Sequence, residues 1–365
     1  MIEKKTYNIT FEDADIKEDD IMQIDPNVLN VLLVDHTRSR LIKKQTGNPN
    51  LRANIYWCTN DYTLLGEGFG YYDEIRPESV TGKNRLVVQP RVLKPKNQQE
   101  ARIKEKAEVF TPSWVCNAQN NLIDEAWFGK KDVFNKEFLL EDGTHDWIPT
   151  EGPIQFPKEK NKTWRDYVRD TRMEITCGEA PYLCSRYDTT TGELIPLVKR
   201  IGLLDRKLRV VSENTTSSKD FLEMAQIAYE NIYGFEWQGD NLLLAREALL
   251  WTFIEYYQAK FNKKPNLRSI RYIAYVISWN LWQMDGLKYV VPGSCDNIFR
   301  ENLLGELERV ECPGCKKGTD TGHIGIKCLV RDWPKFHNKS KYGKEAEKKY
   351  TIPFVQLIHG VQEND

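Results

Sequence analysis

Residues 312–328 read CPGCKKGTDTGHIGIKC, which sets Cys312, Cys315, His323 and Cys328 in a C-x2-C-x7-H-x4-C spacing. Three thiolates and one imidazole suit a tetrahedral zinc ion, and the Pro-Gly inside the first pair makes a tight knuckle that turns both sulfurs toward one point. Four protein ligands leave no open coordination position, so the expected zinc is structural. The bland alternative is a loop of unpaired thiols, with His323 facing solvent and Cys328 belonging to the next strand.

A second set of residues invites different chemistry. Glu174 precedes Cys177-Gly178-Glu179-Ala180, Glu236 closes the run YGFE, and Asp285 sits in QMDGL. In a parallel α/β sheet, ligands bind outside the carboxyl ends of the strands, so acids and small residues at those ends are the ones to inspect. A Cys-Gly turn lets backbone approach a ligand, Glu236 has the acceptors for two ribose hydroxyls, and Asp285 has the acceptor for an adenine amino group. Read blandly, each is a strand-to-helix corner or a helix cap.

The elements that must position these groups are legible as periodicity. The first hundred residues alternate short apolar runs (VLNVLLV, ANIYWC, NRLVVQP) with turns such as GEGFGYYDE, which predicts a small strand-rich module over residues 1–100. Thr111 and Pro112 provide a start for a helix in SWVCNAQNNLIDEAWFG. SSKDFLEMAQIAYENIYG predicts a capped helix, and Asp240 is placed to cap the long helix NLLLAREALLWTFIEYYQAKF. LRSIRYIAYVIS predicts another helix, and NLWQMDGLKYVV returns to strand. Strand and helix alternate from about 174 to 290, the pattern of a parallel sheet with crossover helices.

Composition bounds the class. Hydrophobic residues at 40% and charged residues at 29% exclude a disordered or fibrous chain. The net charge of -1 argues against a wholly basic nucleic-acid binder, although residues 91–106 and 312–350 are basic blocks that could track a phosphate backbone. No apolar run approaches the roughly 20 residues of a membrane span, and the acidic start MIEKKTYNITFEDAD is not a signal peptide. The expectation is a soluble, cytoplasmic protein with no membrane partner.

The order FTP, ITCGEAPYL, YGFEWQGDN, NLWQMDGL and LVRDWPKF resembles the motif order of S-adenosylmethionine-dependent DNA adenine methyltransferases, and more narrowly a group of bacterial and phage proteins described as restriction endonuclease subunit M. The likeness spans about residues 100–336. It implies an α/β, Rossmann-like methyltransferase core over 101–310, with a Cys/His cluster and basic segment over 311–365. It implies S-adenosyl-L-methionine as cofactor, held by Phe110, Thr111, Pro112, Glu174, Cys177, Gly178, Phe235, Glu236 and Asp285, with Phe235 or Trp237 against the adenine. DNA would be the partner in a bacterial or phage-infected cell, with a specificity or restriction subunit as a further one.

The same resemblance sets Asp332, Trp333, Pro334 and Phe336 where the family carries its catalytic loop. Asp332 would accept hydrogen from the adenine amine, and Trp333 or Phe336 would stack the extruded base. Here Trp333 replaces the first proline and Lys335 the aromatic residue. The implied function is therefore adenine methylation, with a catalytically degenerate, methyltransferase-like nucleic-acid-binding protein as the alternative.

Overall fold

The structure is a computed structural model that describes residues 13–106, 111–296, 298–301, 305–338 and 350–359. The chain is α/β with small sheets. At its centre, β5 (Arg172–Ile175), β6 (Ile232–Glu236) and β7 (Leu281–Gln283) form a parallel sheet in the order β5-β6-β7. Glu174 lies opposite Gly234, and Glu236 lies opposite Gln283. The crossovers are helical: α8 (Leu203–Asn214) and α9 (Ser218–Glu230) lead to β6, and α10 (Gly239–Phe261) and α11 (Leu267–Asn280) lead to β7.

Local chemistry sets several of these boundaries. The Ser217 side chain accepts from the Asp220 N–H to start α9, and Asn266 accepts from the Ser269 N–H to start α11. Helix α10 is buried from Gly239 to Tyr257, as expected of a helix that is apolar nearly all round. Its start presses on the neighbouring chain: a Cβ on Gly239 would sit 2.0 Å from the Tyr56 carbonyl oxygen. Asp240 does not cap this helix. It lies within the first turn and takes Arg102, Lys94 and Tyr62 as partners. Burial alone would raise its pKa, but the two cations hold it well below the ordinary carboxylate range.

Among the described residues of the first hundred, strands are few. Residues 13–100 form α1 (Glu18–Ile24), α2 (Pro26–Leu33), α3 (His36–Thr46), α4 (Pro77–Val80) and the start of α5 (Lys96–Lys106), with only the two-residue strands β1 (Val34–Asp35) and β2 (Ala53–Asn54) among them. The apolar run VLNVLL becomes helix because Asp25 accepts from the Asn27 N–H and Pro26 occupies the first turn. Leu29 and Leu32 then join one hydrophobic cluster that runs on through Leu183, Leu250 and Ile273 to Trp333. The remaining elements are α6 (Ser113–Phe128), the hairpin β3 (Asn135–Leu139) and β4 (His145–Pro149), α7 (Trp164–Arg169), and a carboxyl-terminal group. That group comprises β8 (Phe299–Glu301), β9 (Leu307–Arg309), α12 (Pro313–Lys317), β10 (Leu329–Arg331), α13 (Trp333–His337), β11 (Thr351–Pro353) and α14 (Phe354–His359).

Arg246, buried in α10, ties this core together. Its Nε and Nη2 donate to the Leu281 carbonyl, Nη2 also reaches Ser278 O, and Nη1 reaches the carbonyls of Leu32 and Val34. Substituting Arg246→Leu leaves several buried carbonyls unpaired and should cost roughly 3 kcal/mol or more in chemical denaturation; a near-neutral result would contradict this role.

A second buried feature in the same helix gives a pH dependence. Among the described residues, no other residue gives a hydrogen bond to either carboxyl oxygen of Glu247 or of Glu18 in α1. Burial pushes both carboxyls well up, with Asp15 raising each further, Glu18 raising Glu247, and Lys17 opposing at Glu18. A folded pKa above the unfolded one means that folding takes up protons, so this contribution is complete below the ordinary glutamate range of about 4.3 and is lost as pH rises toward the raised folded values. Glu247→Gln should therefore raise the melting temperature at pH 8 and change it much less at pH 4. Equal shifts at both values would count against it.

Candidate functional site: a metal centre beside an acid-tipped sheet edge

The described residues bring Cys295, Cys312, Cys315 and His323 together, with all ligand atoms within 4.8 Å of one another. His323 Nδ1 lies 3.7, 3.5 and 3.6 Å from the sulfurs of Cys295, Cys312 and Cys315. With zinc–sulfur bonds of about 2.3 Å and zinc–nitrogen bonds of about 2.0–2.1 Å, a tetrahedron has sulfur–nitrogen edges of about 3.6 Å. The cluster has those dimensions and can hold a metal ion such as zinc.

Its surroundings fit the same use. His323 Nε2 lies 2.8 Å from the Thr319 carbonyl oxygen, so it carries the hydrogen and leaves the Nδ1 lone pair facing the thiols. Gly314, inside the knuckle, has no room for a side chain: a Cβ there would stand 2.8 Å from His323 Nδ1. One on Gly325 would stand 2.8 Å from Cys295 Sγ. Burial works against the Cys312 thiolate, yet the backbone N–H groups of Cys315 and Ile324, with His323 and Cys295, bring it down to about 6. Burial and then Cys312 raise both Cys295 and Cys315, Cys295 to about 12. A bound cation would relieve that mutual penalty.

Cys328 is the correction. It is fully buried beside Trp282, Met284 and Val330, and its thiol faces the Gln283 carbonyl at 3.4 Å. The fourth member of the cluster is Cys295, from the turn Pro292-Gly293-Ser294-Cys295. The available signal was that this turn repeats the Pro-Gly-before-cysteine arrangement of the knuckle.

The second feature lies at the carboxyl ends of the parallel strands. Glu236 accepts from the Gly178 N–H at 2.9 Å and from the Gln238 N–H at 3.2 Å. Glu174 accepts from the N–H groups of Leu183 and Tyr182 at 3.2 and 3.4 Å. Burial raises Glu174 well above the ordinary range, with those two N–H groups opposing and the charge of Glu236 adding to the rise. Cys177 is also pushed well up, by burial and then by Glu236 and Glu174, so it is a packed thiol rather than a nucleophile.

On the other flank, the Met284 N–H bonds the Glu236 carbonyl, and Asp285 follows at once. Asp285 Oδ1 accepts from the N–H groups of Leu287 and Lys288, and Oδ2 lies 3.5 Å from Lys288 Nζ. Three adjacent strands about 4.8 Å apart thus carry Glu174, Glu236 and Asp285 in a staggered row: Glu174 is level with Gly234 and Leu281, Glu236 with Gln283, and Asp285 lies two residues beyond, four residues or roughly 13 Å further along than Glu174. Thr111 and Pro112 lead into α6 beside the segment that follows this turn: the Ser113 N–H donates to Asp188, and Thr189 donates to the Thr111 carbonyl. Phe110 lies outside the described residues.

The structure does not bring the other expected residues here. Phe235 is 2% exposed and packs between Trp282 and Phe354, with its ring against Gly286. It faces the interior, so of the two aromatic candidates Trp237 alone is at the edge. Asp332 caps α13 by accepting from the Lys335 N–H and pairs with Lys335 Nζ at 2.9 Å. Trp333 is buried and donates to Asn280 Oδ1, while Asn280 in turn donates to the carbonyls of Tyr229 and Ile232. Pro334 and Phe336 belong to the same short helix, and His337 reaches Glu230. These contacts lie at the amino end of β6, four residues or roughly 13 Å from Glu236.

The two features share one turn. The Asp285 N–H donates to the Val290 carbonyl, Val290 bridges to Lys327, and Val290 packs with Cys295 and Cys312. No protein-family model, curated protein or solved structure matches the chain.

Purified protein should carry about one zinc per chain by elemental mass spectrometry. Cys295→Ser should lose it and Cys328→Ser should retain it; the reverse pattern would restore Cys328 as a ligand.

Proposed function

We propose that the carboxyl edge of the parallel sheet binds a nucleoside-bearing cofactor of the S-adenosylmethionine class, in a methyltransferase-like protein that works on nucleic acid. The observation that carries this is the staggered succession of Glu174, Glu236 and Asp285 toward the carboxyl ends of three adjacent parallel strands, with Glu236 tied to the Gly178 turn on one side and to Met284 on the other. Carboxyl groups there can accept hydrogen bonds from ribose hydroxyls and an exocyclic amine, and the ionised ones, unlike Glu174 with its raised pKa, would attract a sulfonium cation. They would repel the phosphates of a nucleotide. The helical crossovers between parallel strands support a Rossmann-like core. The Cys/His centre supplies a structural zinc, and exposed Lys316 and Lys317 beside it are suited to a phosphate backbone.

Of the two outcomes the resemblance implies, the geometry favours the binding protein without catalysis at Asp332. An acceptor for the target amine must lie within hydrogen-bond reach of the transferred methyl's path. Asp332 is engaged with Lys335 near the amino end of β6 and has no place at the edge.

Calorimetry with S-adenosylmethionine tests the reading. Wild type and Asp332→Ala should bind alike, Glu236→Ala should bind at least roughly tenfold more weakly, as expected for loss of a charged hydrogen-bond acceptor, and ATP should not compete. Absence of binding by the folded wild type, or methyl transfer into DNA that disappears in Asp332→Ala, would overturn it.

A further inference from the structure

The loop 66–74, GEGFGYYDE, lies in the segment expected to form a separate module, yet it comes to the same sheet edge. The Cys58 N–H bonds the Tyr71 carbonyl, the Trp57 N–H bonds the Asp73 carbonyl, and the Gly239 N–H bonds the Trp57 carbonyl. The loop is thereby fixed to the start of α10, three residues beyond Glu236.

From there its two tyrosines reach across the edge. The Tyr71 hydroxyl accepts from Trp237 Nε1 at 2.8 Å, and Trp237 directly follows Glu236. Tyr71 and Tyr72 meet edge to face at 4.8 Å, and Tyr72 meets Tyr56 in the same manner at 6.1 Å. Tyr72 reaches the turn that carries Cys295: a Cβ on Gly293 would stand 2.4 Å from its hydroxyl. Burial is the main influence that pushes the Tyr71 hydroxyl up to about 12, so it remains a phenol.

These contacts make a continuous aromatic wall beside the acids. An indole and a phenol ring, both half-buried, offer π-faces of the kind on which nucleobases stack. The Tyr71 oxygen already accepts one hydrogen bond from Trp237, and its own hydrogen is a donor. Gln283 Nε2 donates to the carbonyls of Tyr56 and Trp237, and Asp285 follows two residues later on the same strand; a donor at Tyr71 and an acceptor at Asp285 would together match the edge of a 6-aminopurine, which presents a ring-nitrogen acceptor beside an amine donor. It mismatches a 6-oxopurine, whose corresponding positions are a donor and an acceptor.

We infer that Tyr71 is a ligand-contacting, specificity-determining residue of this edge, which with Trp237 and Asp285 selects a 6-aminopurine nucleoside. The inference rests on the cofactor reading above and adds to it a residue from the amino-terminal segment and a base preference.

The test is a titration of the full chain with S-adenosylhomocysteine and with its inosyl counterpart, followed by calorimetry and by tryptophan fluorescence. Wild type should bind the adenosyl compound at least about tenfold more tightly, as expected when one hydrogen-bonded pair is replaced by a mismatch. Tyr71→Phe keeps the ring and should lose most of that preference. Tyr71→Ala should weaken the adenosyl compound further, and Trp237→Phe should remove most of the fluorescence change. Thermal melting of each variant establishes that it is folded.

If wild type binds neither compound, the cofactor reading fails and this inference fails with it. If wild type binds but Tyr71→Phe retains the full preference and affinity, the cofactor reading stands and the assignment of Tyr71 is overturned.

Discussion

One buried guanidinium constrains the arrangement on which the candidate site depends. Arg246 holds carbonyls at the end of α2, in β1, at the end of α11 and in β7. Each carbonyl lies near a point where a helix or strand gives way to the next element. Burial draws the guanidinium down only to about 10, with Asp35 and Cys177 opposing, so it remains charged. A planar cation with five fixed N–H groups meets these several acceptors in one geometry, which an ammonium could not do.

The consequence reaches the site. Arg246 fixes β7, whose end delivers Asp285, and it fixes the α2-to-β1 junction, from which the chain runs on to Tyr56, Trp57 and the tyrosine loop. The Cys/His cluster acts at shorter range. It gathers a region of three-residue strands and five-residue helices, too short to stabilise themselves, and its Cys295 turn lies against the Asp285-to-Val290 turn. An ion there would brace one wall of the acid edge.

The segment RDWPKF shows how the same residue types serve a different end. Arg331 stands 3.8 Å from the Trp279 ring centroid, 4.7 Å from Phe336 and 5.1 Å from Tyr350. These cation–π contacts, with the Trp333 indole N–H on Asn280, dock the segment onto α11. An acid, an indole, a proline and a phenylalanine make a plausible base-stacking loop in one dimension. In three, their aromatic faces turn inward around a guanidinium.

The sequence by itself determined the features that are settled within a turn or two of the chain. Ser217 and Asn266 start their helices, the Cys-Pro-Gly-Cys knuckle pairs two ligands, and the alternation after residue 174 gives a parallel sheet with acids at its strand ends. The tertiary structure decided whatever depended on partners far away in the chain. It made VLNVLL a core helix rather than a strand, gave Asp240 to Arg102, chose Cys295 over Cys328, and set Asp332 at the opposite end of β6 from Glu236. It also joined Tyr71 to Trp237 across 166 positions. The physical reason is that caps and turns are fixed by backbone groups a few residues apart, whereas a ligand set or an aromatic wall is fixed by packing between distant elements, which leaves no local pattern to read.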